Sequence, residues 1–150
     1  MQRIFLDTNI YIIGFKYPNT NSAKILTEIE SQNVMVIQSD YLYEEVLEYF
    51  RRTEGKDSVG LYRRFLLTVP NNEYVDKYVW SLFIQDYTDL VGDVDDLPHI
   101  CCYFASNCDY FVTTNRRLTQ MKIGEKVNFL NPSEFIEHLG LEPLDTVDGV

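Results

Sequence analysis

The sequence RIFLDTN at residues 3–9 consists of a short apolar run followed directly by polar residues, and the same pattern recurs along the chain. The apolar run predicts a β-strand that ends at Asp7, with a short helix after it. Three further strand-like runs are VMVIQ at 34–38, YFV at 110–112 and VNFL at 127–130. Helical patterns separate these runs, among them YLYEEVLEYFRR at 41–52. We therefore expect an α/β domain with a mostly parallel central sheet.

Other helices are predicted where apolar residues recur at helical spacing. These segments are 22–31, 58–68, 75–91, 98–107 and 132–140. The run VMVIQ is continuously apolar, as expected of a strand that is covered on both faces.

Length and composition favour one domain with a sizeable core, since 45% of the 150 residues are hydrophobic. No run approaches the roughly 20 apolar residues of a membrane span, and the N-terminus lacks the apolar core of a signal peptide. The cysteines, Cys101, Cys102 and Cys108, share one apolar segment, which favours buried free thiols over disulfides or a zinc site. We expect a cytoplasmic protein with a folded domain at 1–140 and an acidic C-terminal tail at 141–150.

The net charge of −10 argues against extensive, sequence-independent binding to nucleic acid, because such binding depends on neutralising phosphates. The arginines are nevertheless clustered, with doublets at 51–52, 63–64 and 116–117. Arginine pairs on helix surfaces are usually solvated, and we interpret the first two doublets that way. An acidic protein can still hold a local patch that binds phosphate.

In parallel sheets, functional residues gather beyond the carboxyl ends of the strands. The polar residues that directly follow the first and third predicted strands are Asp7, Thr8 and Asn9, and Thr113, Thr114 and Asn115. The helix after the second strand carries Glu44 and Glu45, and an acidic cluster at 93–96 opens the helix before the third. These positions form the candidate site.

The helix at 41–52 places its two adjacent glutamates on different faces. Glu45 falls within the apolar stripe of Leu42, Val46 and Tyr49, whereas Glu44 lies on the wet side. An ionised carboxylate that points inward is costly unless a cation or a donor pairs with it. Glu45 is therefore the candidate, although a helix-rim position with the side chain bent to water would also explain it.

The sequence GDVDDLPH at 92–99 crowds three aspartates ahead of an apolar helix. Asp93 and Asp96 are three residues apart and share one face, while Asp95 points elsewhere. Helix capping and the helix dipole would explain one of these acids but not both. We interpret His99, three residues after Asp96, as a half-buried packing residue rather than a metal ligand.

Gathered at one edge of the sheet, Asp7, Glu45, Asp93 and Asp96 would form an all-oxygen acidic pocket. Such pockets suit hard divalent cations, Mg²⁺ or Mn²⁺, and commonly serve phosphoester hydrolysis. The two histidines are badly placed for a Ser-His-Asp or Cys-His arrangement, and no glycine-rich nucleotide loop occurs in the sequence. A metal-dependent phosphoester hydrolase is the resulting hypothesis.

Four motifs follow one another as they do in PIN-domain nucleases: FLDTNI at 5–10, SDYLYEEV at 39–46, DVDDLPHI at 93–100 and DYFVTTN at 109–115. The chain resembles that family from about Arg3 to the helix PSEFIEHL at 132–139, and its size is similar to that of VapC-type toxins. The resemblance implies a three-layer α/β/α sandwich around a parallel sheet. It also implies an acidic pocket that binds Mg²⁺ or Mn²⁺ and hydrolyses RNA.

The resemblance assigns the family's acids to particular positions of this chain. Asp7 matches the first acid, Glu45 the second and Asp96 the third, and Asp93 resembles the additional acid often found three residues before the third. All four are therefore expected to hold the metal ions and to take part in catalysis.

The resemblance also identifies supporting residues. Asn9 matches the neighbouring polar residue, and Thr113 is expected to orient the site through its hydroxyl. Asn115 departs from the family, since many members carry an aspartate there; it assists catalysis with one negative charge fewer. Arg116 and Arg117 follow directly and are the candidates for contacting substrate phosphate.

The leading hypothesis is a metal-dependent ribonuclease whose partners are RNA and, in a toxin–antitoxin pair, an antitoxin protein; a homodimer is also compatible with the sequence. A second hypothesis, motivated by Asn115 and the net charge, is an inactive metal- or RNA-binding module in a larger assembly. Two other classes fit less well. Aspartate-nucleophile phosphatases need an aspartate where this chain has Asn9, and topoisomerase-primase domains need a glutamate where it has Asp7.

Overall fold

The computed structural model describes residues 1–146 as an α/β domain built on a five-stranded sheet. The strands are β1 (Gln2–Leu6), β2 (Val34–Ser39), β3 (Asn72–Val75), β4 (Tyr110–Val112) and β5 (Phe129–Leu130). Every neighbouring pair is parallel, and the order across the sheet is β3-β2-β1-β4-β5. β1 is therefore central, and its carboxyl end lies between the carboxyl ends of β2 and β4.

Nine α-helices connect and cover the strands in this part of the chain. They are α1 (Thr8–Lys16), α2 (Asn21–Glu28), α3 (Asp40–Glu54), α4 (Val59–Leu67), α5 (Lys77–Trp80), α6 (Ile84–Tyr87), α7 (Leu97–Ala105), α8 (Arg116–Thr119) and α9 (Pro132–His138). Short 3₁₀ turns lie at Ser81–Phe83, Thr88–Leu90 and Lys122–Glu125. Among residues 1–146, no helix has the length and apolar character needed to cross a membrane.

Alternation along β1 divides the core into two layers of side chains. Ile4 and Leu6 pack on the face covered by α1, α2, α3, α4 and α9. Phe5 points to the other face, where it packs with Phe111 and with Ile100 of α7. Because helices cover both faces, the predicted three-layer α/β/α sandwich is confirmed, and the sheet is parallel throughout.

The edge strand β3 is absent from the sequence-based prediction. It spans only Asn72–Val75, and its outer positions are solvated, so apolar alternation does not reveal it. Pairing with β2 and an ion pair between Arg3 and Glu73 hold it in place. The single helical segment expected at 75–91 is also divided, into α5, α6 and two 3₁₀ turns.

The segment from Leu141 to Thr146 has no helix or strand but contacts the domain at several points. The side chain of Asn21 forms two hydrogen bonds with the backbone of Leu144, and Lys24 Nζ donates to the carbonyl of Glu142. Leu141 packs against the core layer that contains Ile4 and Leu6. This part of the expected acidic tail is docked beside α2, and the rest of it, 147–150, lies outside the described residues.

Side-chain caps fix the start of the two helices nearest the carboxyl end of β1. Asp7 accepts a hydrogen bond from the backbone N–H of Thr8 at the start of α1 (2.8 Å). Ser39 accepts one from the N–H of Leu42 (2.9 Å) and caps α3. Because α3 begins directly after β2, this cap sets the position of Glu45, in the second turn of the helix, above the strand ends.

We predict that Ser39→Ala lowers the free energy of unfolding by about 1 kcal/mol, because the buried cap of α3 is removed. Ser58→Ala is the matched control. Ser58 precedes α4 but makes no side-chain cap hydrogen bond, so its replacement should change stability little. Urea unfolding followed by circular dichroism measures both variants, and equal losses would contradict the cap.

Candidate active site

The carboxyl end of β1 brings together side chains from four elements. Asp7 follows β1, and Thr113 follows the neighbouring strand β4. Glu45 approaches from α3, and Asp96 and His99 approach from the start of α7. The ionisable members of this group are close enough to influence one another's pKa.

Asp7 is the most buried acid of the group, with 4% of its surface exposed. One carboxylate oxygen accepts a hydrogen bond from the N–H of Thr8 (2.8 Å), and the other accepts one from the hydroxyl of Thr113 (2.7 Å). Burial raises the pKa of Asp7, although nearby His99 and the two hydrogen bonds oppose the shift. Within residues 1–146 no Lys or Arg pairs with Asp7, so its charge is only partly compensated.

Glu45 is half-buried, with 31% of its side chain exposed, whereas Glu44 is exposed. This difference agrees with the helical faces inferred from the sequence. Glu45 Oε1 accepts a hydrogen bond from the hydroxyl of Thr8 (2.6 Å) and lies 2.5 Å from His99 Nε2. Since an ionised carboxylate only accepts, the ring nitrogen is the donor in this contact.

His99 lies among these acids and is fully buried, so its interpretation as half-buried is wrong; it packs on Phe5 and Tyr41 and also contacts Glu45. The ring is fully buried, and Nε2 lies near Glu45, 3.2 Å from Thr8 Oγ1 and 4.0 Å from Asp7 Oδ1. Burial lowers the pKa of His99, but the hydrogen bond to Glu45 and the charges of the nearby acids outweigh it and raise the pKa overall. The spacing of three residues from Asp96 is the signal in the sequence, because it places both side chains on one face of α7.

Asp96 occupies the position before α7 but does not cap the helix through its side chain. It is half-buried; its backbone carbonyl accepts a hydrogen bond from the N–H of Ile100, whereas within residues 1–146 its carboxylate accepts none. Burial and then the charges of Asp7 and Asp93 raise the pKa of Asp96 to about 6, against the attraction of His99. The capping role expected for this cluster is therefore not what holds Asp96 in place.

Asp93 has a local structural contact and lies further out. It is exposed, and its Oδ1 accepts a hydrogen bond from the N–H of Asp95 (2.9 Å), which stabilises the turn before α7. Asp93 contributes to the raised pKa of Asp96, so it belongs to the outer part of the same acidic group.

The remaining predicted residues occupy the rim of the site or its support. Asn9 is exposed, and its side chain makes no hydrogen bond within the described chain. Thr113 is buried; it donates to Asp7 and accepts from the N–H of Asn115 (3.0 Å). Asn115 Oδ1 caps α8 by accepting from the N–H groups at positions 117 and 118. Arg116 and Arg117 are exposed on α8.

The donor set fits a hard divalent cation in its chemistry, although no three acid, histidine or cysteine side chains within residues 1–146 are arranged to hold one as they stand. Glu45 is turned towards Thr8 and His99. Burial is the main reason that the pKa values of Asp7 and Asp96 are raised, and within residues 1–146 neither carboxylate pairs with a Lys or Arg, so a bound cation would offset the cost of ionising them. These oxygens therefore suit Mg²⁺ or Mn²⁺ in kind.

Two cavities lie near Asp7. One, of about 360 Å³, is lined in part by Thr113, Asn115, Arg116 and Phe129. The other, of about 400 Å³, is lined in part by Thr8, Tyr41, Glu45 and Arg52. Thr8 and Thr113, the two donors to Asp7, each line one of the cavities, whereas Asp7 itself lines neither.

The sequence profile of the PIN domain family matches residues 3–117, a span that contains every candidate acid and the doublet at 116–117. The chain belongs to the PIN domain family. Among curated proteins, none matches the sequence significantly.

Solved structures of VapC-type proteins share this PIN fold. The VapBC2 complex of Rickettsia felis, bound to a DNA fragment from its promoter, matches with a TM-score of 0.63 and 15% identity, over 87% of this chain and 98% of that one. VapBC-1 of nontypeable Haemophilus influenzae matches with a TM-score of 0.62 and 19% identity over the same shares. Mycobacterium tuberculosis VapC20, a Sarcin-Ricin loop cleaving toxin, matches with a TM-score of 0.54 and 14% identity, over 72% and 86%. At these identities the likeness establishes the fold alone.

We predict that Asp96→Asn stabilises the protein at pH 8 in EDTA by about 1 kcal/mol, allowing for solvent screening of this half-buried group. Ionising Asp96 opposes folding because its pKa is raised to about 6 in the folded chain. Between the ordinary value near about 4 and that pKa, the folded state binds the additional proton, so stability falls as pH rises. The advantage of Asp96→Asn should therefore fade as pH falls towards about 4.

Urea unfolding at several pH values measures this difference. Asp95→Asn is the control, since Asp95 is exposed and is not among the acids that raise the pKa of Asp96. An Asp96→Asn variant less stable than the wild type at pH 8 would contradict the assigned electrostatic repulsion.

Proposed function

We propose that this PIN domain is a metal-dependent endoribonuclease that hydrolyses RNA phosphodiester bonds with Mg²⁺ or Mn²⁺. One observation carries the proposal: Asp7, Glu45 and Asp96 converge from three elements, and within residues 1–146 none of them pairs with a Lys or Arg. Carboxylates gathered without cations destabilise a fold, and a divalent ion would neutralise them. Membership of the PIN family supports the same chemistry.

In this proposal Asp7, Glu45 and Asp96 hold the metal, and Asp93 contributes negative charge from the outer edge. The bound ion supplies activation of water and neutralisation of charge on the scissile phosphate. Thr8 and Thr113 fix the carboxylates through the hydrogen bonds described above, so that the acids are positioned before substrate arrives.

Asn9 and Asn115 add uncharged polar groups at the rim of the site. Asn115 uses Oδ1 to cap α8, which leaves its amide N–H groups to donate to a phosphate oxygen or a water molecule. Asn115 thus assists without adding to the negative charge that RNA phosphates must approach.

The two cavities, lined by the two residues that donate to Asp7, suit a single RNA strand that runs past the acids. Arg116 lines one cavity and Arg52 lines the other, so each side offers a cation to the backbone phosphates. Arg117 is exposed next to Arg116. With a net charge of −10, the chain depends on these few arginines for phosphate contact.

We also propose two protein partners. The VapBC complexes among the related structures support an antitoxin that would make this chain the toxin of a pair. The exposed apolar side chains of Tyr78, Val79 and Leu82 support a homodimer. An RNA-cleaving toxin of this kind would act in the cytoplasm.

The second candidate is an inactive metal- or RNA-binding module. Two observations favour it: Asn115 replaces an acid that the family commonly has, and Glu45 is turned towards His99 rather than into a ready-made metal cluster. This candidate shares the binding surface with the nuclease and differs in the absence of cleavage.

We predict that the purified protein cuts a mixed pool of labelled RNAs in Mn²⁺ or Mg²⁺ and not in EDTA. Asp96→Asn should reduce the rate roughly a hundredfold or more, because it removes a charged metal ligand. Gel analysis of the labelled pool measures both.

Asp95→Asn is the matched control, one residue away and exposed, and should retain the wild-type rate. RNA that binds but remains uncut with either metal would reject the nuclease in favour of the module. Cleavage that survives both Asp96→Asn and EDTA would indicate a contaminating enzyme.

We predict that combining Arg116→Gln with Arg117→Gln raises the KM for RNA about tenfold with little change in kcat, because glutamine cannot neutralise the backbone phosphates while the acids are untouched. The plot of the logarithm of the binding constant against the logarithm of the salt concentration should also become less steep, by about one unit of slope for each phosphate that is no longer neutralised. The control combines Arg63→Gln with Arg64→Gln, an exposed doublet on α4. Equal effects of the two pairs would contradict a specific role for the first.

A further inference from the structure

His99 has no role in the function proposed above, although it is the imidazole at the centre of the acids. Its Nε2 atom faces three oxygens: Glu45 Oε1 at 2.5 Å, Thr8 Oγ1 at 3.2 Å and Asp7 Oδ1 at 4.0 Å. Two of these atoms belong to the carboxylates proposed to hold the metal. His99 Nε2 is therefore close enough to these carboxylates to bind the same metal ion.

Core packing alone does not account for this residue. The ring is 1% exposed and lies near Phe5 and Tyr41, with 5.2 Å between its centroid and each of theirs. Its Nδ1 atom has no hydrogen-bond partner in the described chain, so burial leaves a polar atom unsatisfied. Burying an unsatisfied Nδ1 atom costs free energy. The contacts of Nε2 with the acids explain the presence of a histidine here better than its packing in the core does.

The unpartnered Nδ1 leaves the ring free to change tautomer. In the contact with ionised Glu45, Nε2 carries the proton. A metal ion needs the lone pair of Nε2 instead, with the proton on Nδ1. Within residues 1–146 no group on Nδ1 fixes the first arrangement against the second.

Of the two carboxylate distances from Nε2, the one to Asp7 fits two ligands of a shared cation, whereas the one to Glu45 is too short as it stands. Ions of this class lie about 2.0–2.2 Å from nitrogen and oxygen ligands, so two ligand atoms on one ion are roughly 3–4 Å apart. Nε2 and Asp7 Oδ1 are 4.0 Å apart. Glu45 Oε1 is closer, at 2.5 Å, so ligation by both residues requires its side chain, which is 31% exposed, to rotate away from Nε2.

We propose that Nε2 of His99 is a metal ligand beside Asp7 and Glu45, and that it gives the site a preference for Co²⁺ and Mn²⁺ over Mg²⁺. The preference follows from ligand chemistry, because imidazole binds first-row transition ions well whereas Mg²⁺ favours oxygen. The inference rests on the metal-binding part of the proposed function and is independent of RNA cleavage.

A positioning role would give a different pattern. If Nε2 only holds Glu45 by a hydrogen bond, loss of the imidazole should weaken every divalent ion by the same factor. Glutamine separates the two roles, because its amide N–H can donate to Glu45 from a similar place but is a poor ligand for transition ions.

The experiment is calorimetric titration of the wild type and His99→Gln with Co²⁺, Mn²⁺ or Mg²⁺ alone, without RNA. We expect a loss of affinity of about tenfold or more for Co²⁺, a smaller loss for Mn²⁺ and less than about threefold for Mg²⁺. His138→Gln is the matched control, since His138 is exposed and contacts Gln2 at the amino end of β1.

Equal losses for the three ions would assign His99 a positioning role and overturn the inference. So would unchanged affinities, or a wild type that binds none of the ions. Graded losses in a protein that does not cut RNA would support the inference and reject the proposed nuclease.

A second measurement leaves position 99 unchanged, in case His99→Gln does not fold. In His138→Gln the only histidine is His99, so its ring gives the only imidazole signals in ¹⁵N NMR. Bound ¹¹³Cd²⁺ should split the Nε2 signal through a one-bond coupling. Bound cadmium with an unsplit Nε2 signal would overturn the proposal.

Discussion

Carboxylates that repel one another lie together at the carboxyl end of β1, and the rest of the structure has to compensate for that repulsion. Asp7 is buried there, and Asp96 and Glu45 approach it, although each negative charge raises the cost of ionising the next. Donors from Thr8 and Thr113 offset part of that cost. The part of the electrostatic cost that is not offset lowers the free energy of unfolding. Packing in the rest of the core must compensate for it.

The two core layers provide this compensation and keep the acids from moving apart. On one face, the stacked rings of Phe50 and Tyr62, 3.8 Å apart, fix α3 against α4. On the other, Phe5 stacks on Phe111 and packs with Ile100, which fixes α7 against β1 and β4. Because α3 carries Glu45 and Asp96 directly precedes α7, moving the backbones of these two acids apart would require unpacking both layers.

Local periodicity predicts much of the fold and distinguishes Glu45 from Glu44, since the burial of a helical residue depends on neighbours three and four positions away. The three-residue spacing from Asp96 places His99 on the side of the acids, but its contact with Glu45, 54 residues away in sequence, has no local pattern that reports it. The absent side-chain cap at Asp96 also has a backbone cause. Its φ and ψ of −87° and −19° are helical, whereas a capping residue adopts extended angles that direct its oxygen to the helix N–H groups.

Asn115 and His99 alter the charge of the site in the same direction. Asn115 caps α8, which asparagine and aspartate do about equally well, so the fold does not require a negative charge there. Thr113 forms hydrogen bonds with both residue 115 and Asp7. An aspartate at position 115 would therefore add a negative charge close to Asp7, whose pKa is already raised. His99, in turn, offers a donor atom without negative charge. Uncharged groups at these two positions give the site polar atoms without adding carboxylates. They thereby limit the electrostatic repulsion that core packing must overcome in a protein that is already strongly acidic.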